Sequence, residues 1–322
     1  MKGESLDQEA RPSVNPLQIV NVSSVPKRSP FRYPGGKTWL VPHIRTWLRS
    51  RSRTPNTLVE PFAGGGIVGL TAAFESLAGS VVLVEKDQDV SSVWRTILDC
   101  QQGRWLAERI AAFEFSPEAV KAELATPRCR LSNRQRAFKT LLRNRVQRGG
   151  ILAPGAGLIK VGENGKGMAS RWYPETLKKR ILDICDIRIR SRINFVEGDG
   201  IEVLSEYRNR RDVVFFVDPP YTVAGGRLYT YSEIDHEALF AVVGSLKGDF
   251  LMTYDNTNYI RSLAENFGFA TRQVAMKSTH HAKMTELLIG RNLDWLPAPE
   301  GISRLSMEAQ ASLEFEPQTA LL

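Results

Sequence analysis

The stretch Thr57-Leu-Val-Glu60-Pro-Phe62-Ala-Gly64-Gly65-Gly66-Ile-Val-Gly69-Leu70 runs from apolar residues through a glycine-rich turn into a second apolar segment. It reads as strand, tight turn, helix. Glycine reaches positive φ without a Cβ clash and lets a ligand approach the main chain closely. The helix start then offers unpaired N–H groups to an anionic or carboxylate group. In the first position of a parallel sheet, such a turn is a nucleotide-type cofactor site. Gly64, Gly66 and Gly69 also satisfy G-x-G-x-x-G literally, which keeps a nicotinamide-dependent oxidoreductase in view. Glycines placed for helix–strand packing alone would give the same pattern.

Working outward, similar apolar runs recur at Val81–Glu85, Ile193–Val196, Val213–Val217, Phe250–Thr253, Ala270–Met276 and Glu286–Ile289. Continuous runs of this kind suit strands buried on both faces. Helical patterns lie between several of them, as at Ile67–Leu77 and Asp235–Leu246. Strands alternating with helices predict an α/β fold with a mostly parallel sheet. The rhythm breaks between about Cys100 and Arg192, a stretch too long for one crossover, so an inserted module is expected there. There is no internal repeat. Glu85 ends the second run, sixteen residues beyond Gly69. A carboxylate there can accept hydrogen bonds from both hydroxyls of a bound ribose. The neighbouring Lys86, Asp87 and Asp89 also allow a merely solvated strand end.

The most informative residues are Asp218-Pro219-Pro220-Tyr221, directly after Val213–Val217. At an average proline usage of about 5%, adjacent prolines arise by chance at roughly one position in 400. Ligands of open α/β sheets bind at the carboxyl ends of strands, where this tetrapeptide lies. Its chemistry suits activation of an exocyclic amine, whose lone pair is delocalised into the ring. A carboxylate (Asp218) and a backbone carbonyl (Pro219) accepting both amino hydrogens would favour pyramidal nitrogen and free that lone pair. Consecutive prolines fix φ and bring no competing N–H. Tyr221 can stack on the base face. A rigid turn with a capping Asp is the plainer alternative.

Phe31-Arg-Tyr33-Pro-Gly-Gly-Lys37, then Glu60 to Gly66, then Asp218 to Tyr221, resembles the Dam-type family of adenine-specific DNA methyltransferases, in the motif order of its alpha subgroup. The resemblance spans about Phe31 to Ile289. It implies a Rossmann-like, mixed seven-stranded sheet, S-adenosylmethionine as cofactor and double-stranded DNA as substrate, with the target adenine flipped out. By position it implies that Tyr33 and Lys37 contact the cofactor, that Glu60, Phe62, Gly64 and Gly66 hold its methionine portion, and that Glu85 holds its ribose. The family often has Trp at the place of Tyr33 and Asp at the place of Glu85. Asp199, in Phe195-Val-Glu-Gly-Asp199, resembles the acid that meets the cofactor's adenine amine. Asp218, Pro219 and Tyr221 take the catalytic and stacking roles, with Asp218 also close to the cofactor. Read without the family, Lys37 is an ambiguous loop lysine. Gly36-Lys37-Thr38 is no P-loop, since it lacks the preceding strand and the correctly spaced first glycine.

The charge distribution sharpens the insert. The whole chain of 322 residues carries 43 Lys+Arg against 35 Asp+Glu, a net charge of +8. Between Lys121 and Arg192 there are 18 basic and 5 acidic residues, so this segment alone carries +13 and the remainder −5. Arginines at Arg134, Arg136, Arg143 and Arg145, a glycine-rich run from Gly149 to Gly167 and Arg171-Trp172-Tyr173 suit phosphate contacts and insertion against bases. Arg143, Asn144, Arg145 and Arg148 lie where the family begins its DNA-recognition loop, and Arg171 is added to them as a DNA contact. Asn suits adenine and Arg guanine in the major groove. The expected organisation is therefore a tail (1–27), a discontinuous catalytic domain (28–105 and 187–296), a recognition insert (106–186) and a second tail (297–322).

Composition narrows the remaining classes. Hydrophobic residues at 42% and charged residues at 24% exclude a disordered or collagen-like chain. Three scattered cysteines without C-x-x-C spacing suggest reduced thiols and a cytoplasmic protein. Four histidines make a Cys/His zinc cluster unexpected. No apolar run approaches the ~18–20 residues that cross a bilayer. A monomer without metal or membrane association is expected. His236 reads as a first-turn helix residue, His280-His281 as a polar loop near the target base. An RNA adenine methyltransferase shares the same catalytic chemistry. A non-catalytic nucleic-acid binder, or the oxidoreductase, is a reading from another class, but the oxidoreductase explains neither Asp218–Tyr221 nor the basic segment.

Overall fold

The computed structural model describes residues 24–221, 230–231, 233–277 and 283–297. Its strands are β1 (Thr57–Glu60), β2 (Ser80–Glu85), β3 (Ile193–Glu197), β4 (Val213–Val217), β5 (Asp249–Asp255), β6 (Ala270–Lys277) and β7 (Lys283–Gly290). Each contains or nearly coincides with one of the apolar runs of the sequence. They form a seven-stranded sheet in the order β3-β2-β1-β4-β5-β7-β6. The first five are parallel to their neighbours, while β7 runs antiparallel between β5 and β6. The sheet is thus mixed, as expected.

The helices are α1 (Val41–Arg49), α2 (Ile67–Phe74), α3 (Gln88–Leu98), α4 (Cys100–Ala111), α5 (Pro117–Ala125), α6 (Asn133–Val146), α7 (Pro174–Cys185), α8 (Ile187–Arg190), α9 (Gly200–Tyr207), α10 (His236–Ser245) and α11 (Asn258–Asn266). Acidic side chains cap several of them. Asp87 accepts from the Asp89 N–H at α3, Asp199 from Ile201 at α9, and Asp235 from Ala238 at α10. Such caps satisfy backbone donors that helix starts otherwise leave unpaired. His236 is indeed a first-turn residue, whereas His280 and His281 lie outside the described residues.

Alternation along the strands divides the core in two. Leu58, Val81, Leu83, Val214 and Phe216 face one cluster, and Val59, Val82, Val84, Phe215 and Val217 face the other. The second cluster is closed by α9, α10 and α11 through Leu204, Phe240 and Leu263. The first continues without a break into residues 106–186. Val120, Phe138, Leu141, Leu177 and Ile181 belong to the same cluster as Leu58 and Trp94. Helix α4 packs on α7, and α3 on α6. The expected boundary after residue 105 falls inside α4, and the one after residue 186 at the start of α8. Of the two expected tails, the described parts are short: Val25 is buried in the core, and the second is described only at Pro297.

The chain lays down β1, β2 and β3 outward, then returns to place β4 beside β1. The crevice between the carboxyl ends of β1 and β4 is the topological switch point, where ligands of open α/β sheets bind. The glycine turn follows β1 and Asp218 follows β4, so the fold brings the two most informative motifs to one place.

Candidate active site

The glycine turn is built as its composition demands. Gly64 and Gly66 have φ of 47° and 59°, the left-handed region that favours glycine. A Cβ at Gly64 would sit 2.5 Å from the Tyr33 ring, and one at Gly66 2.8 Å from Trp94. Tyr33 therefore lies directly on the turn. Trp94 is fully buried in α3 and donates its indole N–H to the Gly64 carbonyl at 3.0 Å. Gly69 serves packing instead, since a Cβ there would meet Leu83 at 2.5 Å and Glu60 Oε2 at 2.7 Å. The Gly69→Ala variant is expected to lose about 1–3 kcal/mol of stability through overpacking of α2 against the sheet; an unchanged denaturant midpoint would contradict this.

Three acids surround the turn. Glu60 ends β1 fully buried and accepts the Gly69 N–H at 2.7 Å; burial pushes its carboxyl up to about 8. Glu85 ends β2 and accepts the N–H groups of Gly64 (3.0 Å) and Asp87 (2.8 Å); burial pushes it up to about 7. Asp199 follows β3 and pairs with Lys86 at 2.8 Å. Burial raises its carboxyl, but the Lys86 ammonium and backbone N–H groups outweigh this and hold it below the usual range.

Asp218 sits at the centre of a second cluster. Its Oδ1 accepts the Thr253 hydroxyl at 2.6 Å, and its Oδ2 lies 2.9 Å from the Lys37 ammonium. Lys37 is buried, donates to the Gly35 carbonyl at 2.7 Å, lies 3.8 Å from Glu286 and stands 4.9 Å above the Tyr221 ring centre. Burial lowers the ammonium's pKa, but Asp218, Glu286 and Glu60 more than offset it and the net shift is upward. Glu286, on β7, is pushed up to about 7 by burial. The Tyr221 ring stacks on Tyr254 at 6.1 Å, and the Tyr254 hydroxyl meets His236 Nδ1 at 2.9 Å. Pro219 is buried. Tyr254 follows a strand end in the sequence, where it could line a cleft or belong to a turn; Trp94, Thr253 and Glu286 carry no such signal beyond Glu286 heading the apolar run Glu286–Ile289 within β7.

The expected DNA contacts divide. Arg143 pairs with buried Asp89 at 3.0 Å and donates to the Leu152 carbonyl at 2.7 Å. Arg128 pairs with the same Asp89. Asn144 has no solvent exposure; its Oδ1 accepts the Arg32 N–H, and its Nδ2 donates to the carbonyls of Arg32 and Gly150. Asn144, expected among the DNA contacts, thus has its amide engaged with the backbone and pins the Phe31–Lys37 segment to α6. Arg145 is turned inward, donating to the Pro30 carbonyl at 2.5 Å. Arg148 is exposed, and Arg171 is half-buried and pairs with Glu163 at 2.5 Å. Replacing Asn144 with Ala is expected to cost about 1–3 kcal/mol for the buried groups left unpaired; the shift in the urea midpoint measures it.

A cavity of about 1020 Å³ joins these elements. Its lining includes Tyr33, Lys37, Glu60, Phe62, Gly64, Gly66, Glu85, Asp199 and Asp218, with Arg145 and Arg171 also on its wall. Ligand pockets are usually about 300–1,000 Å³, so the space suffices for a nucleoside cofactor. The lining fits S-adenosylmethionine: carboxylates for ribose hydroxyls and cationic centres, and an open glycine turn. Among the described residues, no cluster of three or more His, Cys, Asp or Glu could hold a metal ion, and no helix is long and apolar enough to cross a membrane.

The buried acids set a pH dependence for the ligand-free protein. The carboxyls of Glu60, Glu85 and Glu286 are raised in the folded state, so the folded chain holds protons that the unfolded chain has released. Their contribution is fully present below the unfolded value near 4.5 and is lost as pH rises through about 7 to 8. The melting temperature is expected to fall between pH 6.5 and 8 (about the range of these pKa values), less steeply in Glu85→Gln. A rise over that interval would contradict it.

Among solved structures, the rRNA methyltransferase aviRa of Streptomyces viridochromogenes is 11% identical over 84% of this chain and 93% of its own, with a TM-score of 0.40. Precorrin-6y C5,15-methyltransferase of Geobacter metallireducens is 10% identical over 77% of this chain and 86% of its own, with a TM-score of 0.33. At these values neither bears on substrate or mechanism. No curated protein matches the chain. Residues 33–114 match the model of the D12 class N6 adenine-specific DNA methyltransferase family. That span holds Tyr33, Lys37, Glu60, the glycine turn and Glu85, all on the wall of the cavity.

Proposed function

We propose that this protein transfers a methyl group from S-adenosylmethionine to the 6-amino group of an adenine in double-stranded DNA. The observation that carries the reading is the convergence of Asp218 and the glycine turn on one cavity at the switch point of the sheet. The cofactor, when bound, supplies an electrophilic methyl group on a sulfonium. Tyr33, Phe62, Gly64 and Gly66 shape its seat; Glu85 and Asp199 accept from its ribose and adenine.

The remaining chemistry belongs to the tetrapeptide. Lys37 and Thr253 each engage one oxygen of Asp218, which fixes the plane of the carboxylate before substrate arrives. Preorganised acceptors of this kind need no rearrangement at the moment of reaction. Asp218 and the Pro219 carbonyl accept the two amino hydrogens of adenine, and the nitrogen lone pair is released for direct in-line attack. The alkylated nitrogen becomes acidic and passes its extra proton through the Asp218 carboxylate to water, so no strong base is needed. Tyr221, backed by Tyr254, presents an aromatic wall to the extruded base. Extrusion costs a few kcal/mol of stacking and pairing. Arg148 and the other exposed cations of residues 121–192 supply contacts to the DNA backbone, which position the protein without reading sequence.

Methylation-sensitive long-read sequencing of plasmid from an expressing, methylation-deficient host tests this directly. N6-methyladenine at one short recurring sequence is expected. Unmodified plasmid, together with tritiated methyl transfer to RNA in a DNA/RNA competition, would overturn the choice of DNA.

A further inference from the structure

The cavity has a cationic wall that the catalytic reading leaves without a task. Arg32, Arg145 and Arg180 line it, from the segment before Tyr33, the end of α6 and α7. Arg145 is 6% exposed. Among the described residues, no carboxylate lies within 4 Å of any of the three guanidinium groups, whereas Arg171 beside them is paired with Glu163. Arg145 donates to the Pro30 carbonyl and Arg180 to the Ser29 carbonyl, but Arg145 Nε and Arg32 Nη1 are buried with no hydrogen-bond partner. Burial, with Arg180 and Arg32 nearby, pulls the Arg145 pKa down to about 9. Like charges held together in a low-dielectric pocket are costly unless an anion joins them.

The place of the cluster identifies that anion. Ser29, whose carbonyl receives Arg180, also donates its hydroxyl to the Gly65 carbonyl at 2.6 Å. Arg180 therefore adjoins the glycine turn through a single residue, and Arg145 through the neighbouring Pro30. Duplex phosphates stay on the outside of a DNA substrate, whereas Arg145 faces an interior wall. The planar, multi-donor guanidinium matches a carboxylate bidentately.

We propose that Arg145, with Arg32 and Arg180, forms the subsite for the α-carboxylate of the cofactor's amino-acid portion. This rests on the methyltransferase reading above and deepens it: the basic segment, expected to serve DNA alone, supplies part of the cofactor site. Cofactor binding would neutralise the cluster at the end of α6, three residues before the exposed Arg148.

Calorimetric titration of the full chain with S-adenosylmethionine and with its decarboxylated analogue tests the proposal. The wild type is expected to bind the decarboxylated analogue on the order of 10- to 100-fold more weakly, from the loss of charge-assisted hydrogen bonds. In Arg145→Gln and, separately, Arg180→Gln, the difference should shrink to about threefold or less, while affinity for a DNA duplex changes little. Equal wild-type affinity for both compounds would overturn the proposal without recourse to a variant. So would variants that lose DNA affinity but keep full discrimination between the two compounds, which would make the cluster a phosphate site. Failure of the wild type to bind S-adenosylmethionine at all would instead remove the methyltransferase reading itself.

Discussion

Replacing Asp218 with Ala is expected to reduce methyl transfer by at least about 10²–10³-fold, the effect of deleting one preorganised group that acts on the reacting atom. Duplex affinity should stay within a few-fold, because Asp218 is a carboxylate on the cavity wall and the cations proposed to meet phosphate lie elsewhere. Asp218→Asn separates geometry from charge. The amide keeps an oxygen acceptor for the adenine amine and for Thr253, but it leaves Lys37 with Glu286 as its nearest acid. An intermediate loss is expected. Single-turnover transfer of a tritiated methyl group, with duplex binding measured in parallel, gives both quantities. Full activity in Asp218→Ala would remove the tetrapeptide from the mechanism.

The second large effect is on stability. Lys37→Met removes the cation held between Asp218 and Glu286 and leaves two carboxyls facing each other across a buried space. Breaking a buried pair by removing one partner costs about 3–5 kcal/mol. At roughly 2–4 °C per kcal/mol for a protein of this size class, the melting temperature should fall by about 6–20 °C. The loss should depend on pH in a definite sense. Glu286 already titrates at about 7 and would rise further without the ammonium, so acid conditions neutralise it and mitigate the damage. The Lys37→Met deficit is expected to be smaller at low pH than above neutrality, and Lys37→Met/Glu286→Gln should recover part of it. Melts of the three proteins at both pH extremes measure this; a pH-independent deficit would contradict the assigned coupling.

Much of the fold was legible in the sequence because the central strands β1, β2, β4 and β5 are buried on both faces and therefore written as nearly unbroken apolar runs, whereas the edge strands β3 and β6 carry exposed positions. Val213–Val217 is β4 to the residue, and Thr57–Glu60 is β1. The two catalytic-side motifs were legible because turn geometry restricts residue identity: Gly64 and Gly66 at positive φ, and consecutive prolines after a strand. What could not be read was partnership across the chain. Nothing local to Glu286 or Thr253 announces that β7 and β5 carry them to Asp218 and Lys37. Nor does the run Arg143-Asn144-Arg145 reveal that its members point in three directions, one toward Asp89, one into the backbone of Arg32, and one into the cavity. A helix distributes adjacent residues around its circumference, so charge density along a segment fixes its electrostatic total and not its contact surface.

The continuity of the core through residues 106–186 has a consequence for any attempt to exchange specificities. Phe138, Leu141, Leu177 and Ile181 pack in one cluster with Trp94, which in turn holds the Gly64 carbonyl. The segment is therefore not a cassette. A chimera that grafts a foreign span between residues 106 and 186 would open the floor beneath the glycine turn, and a viable graft must carry α3 and α4 along with the span it is meant to replace.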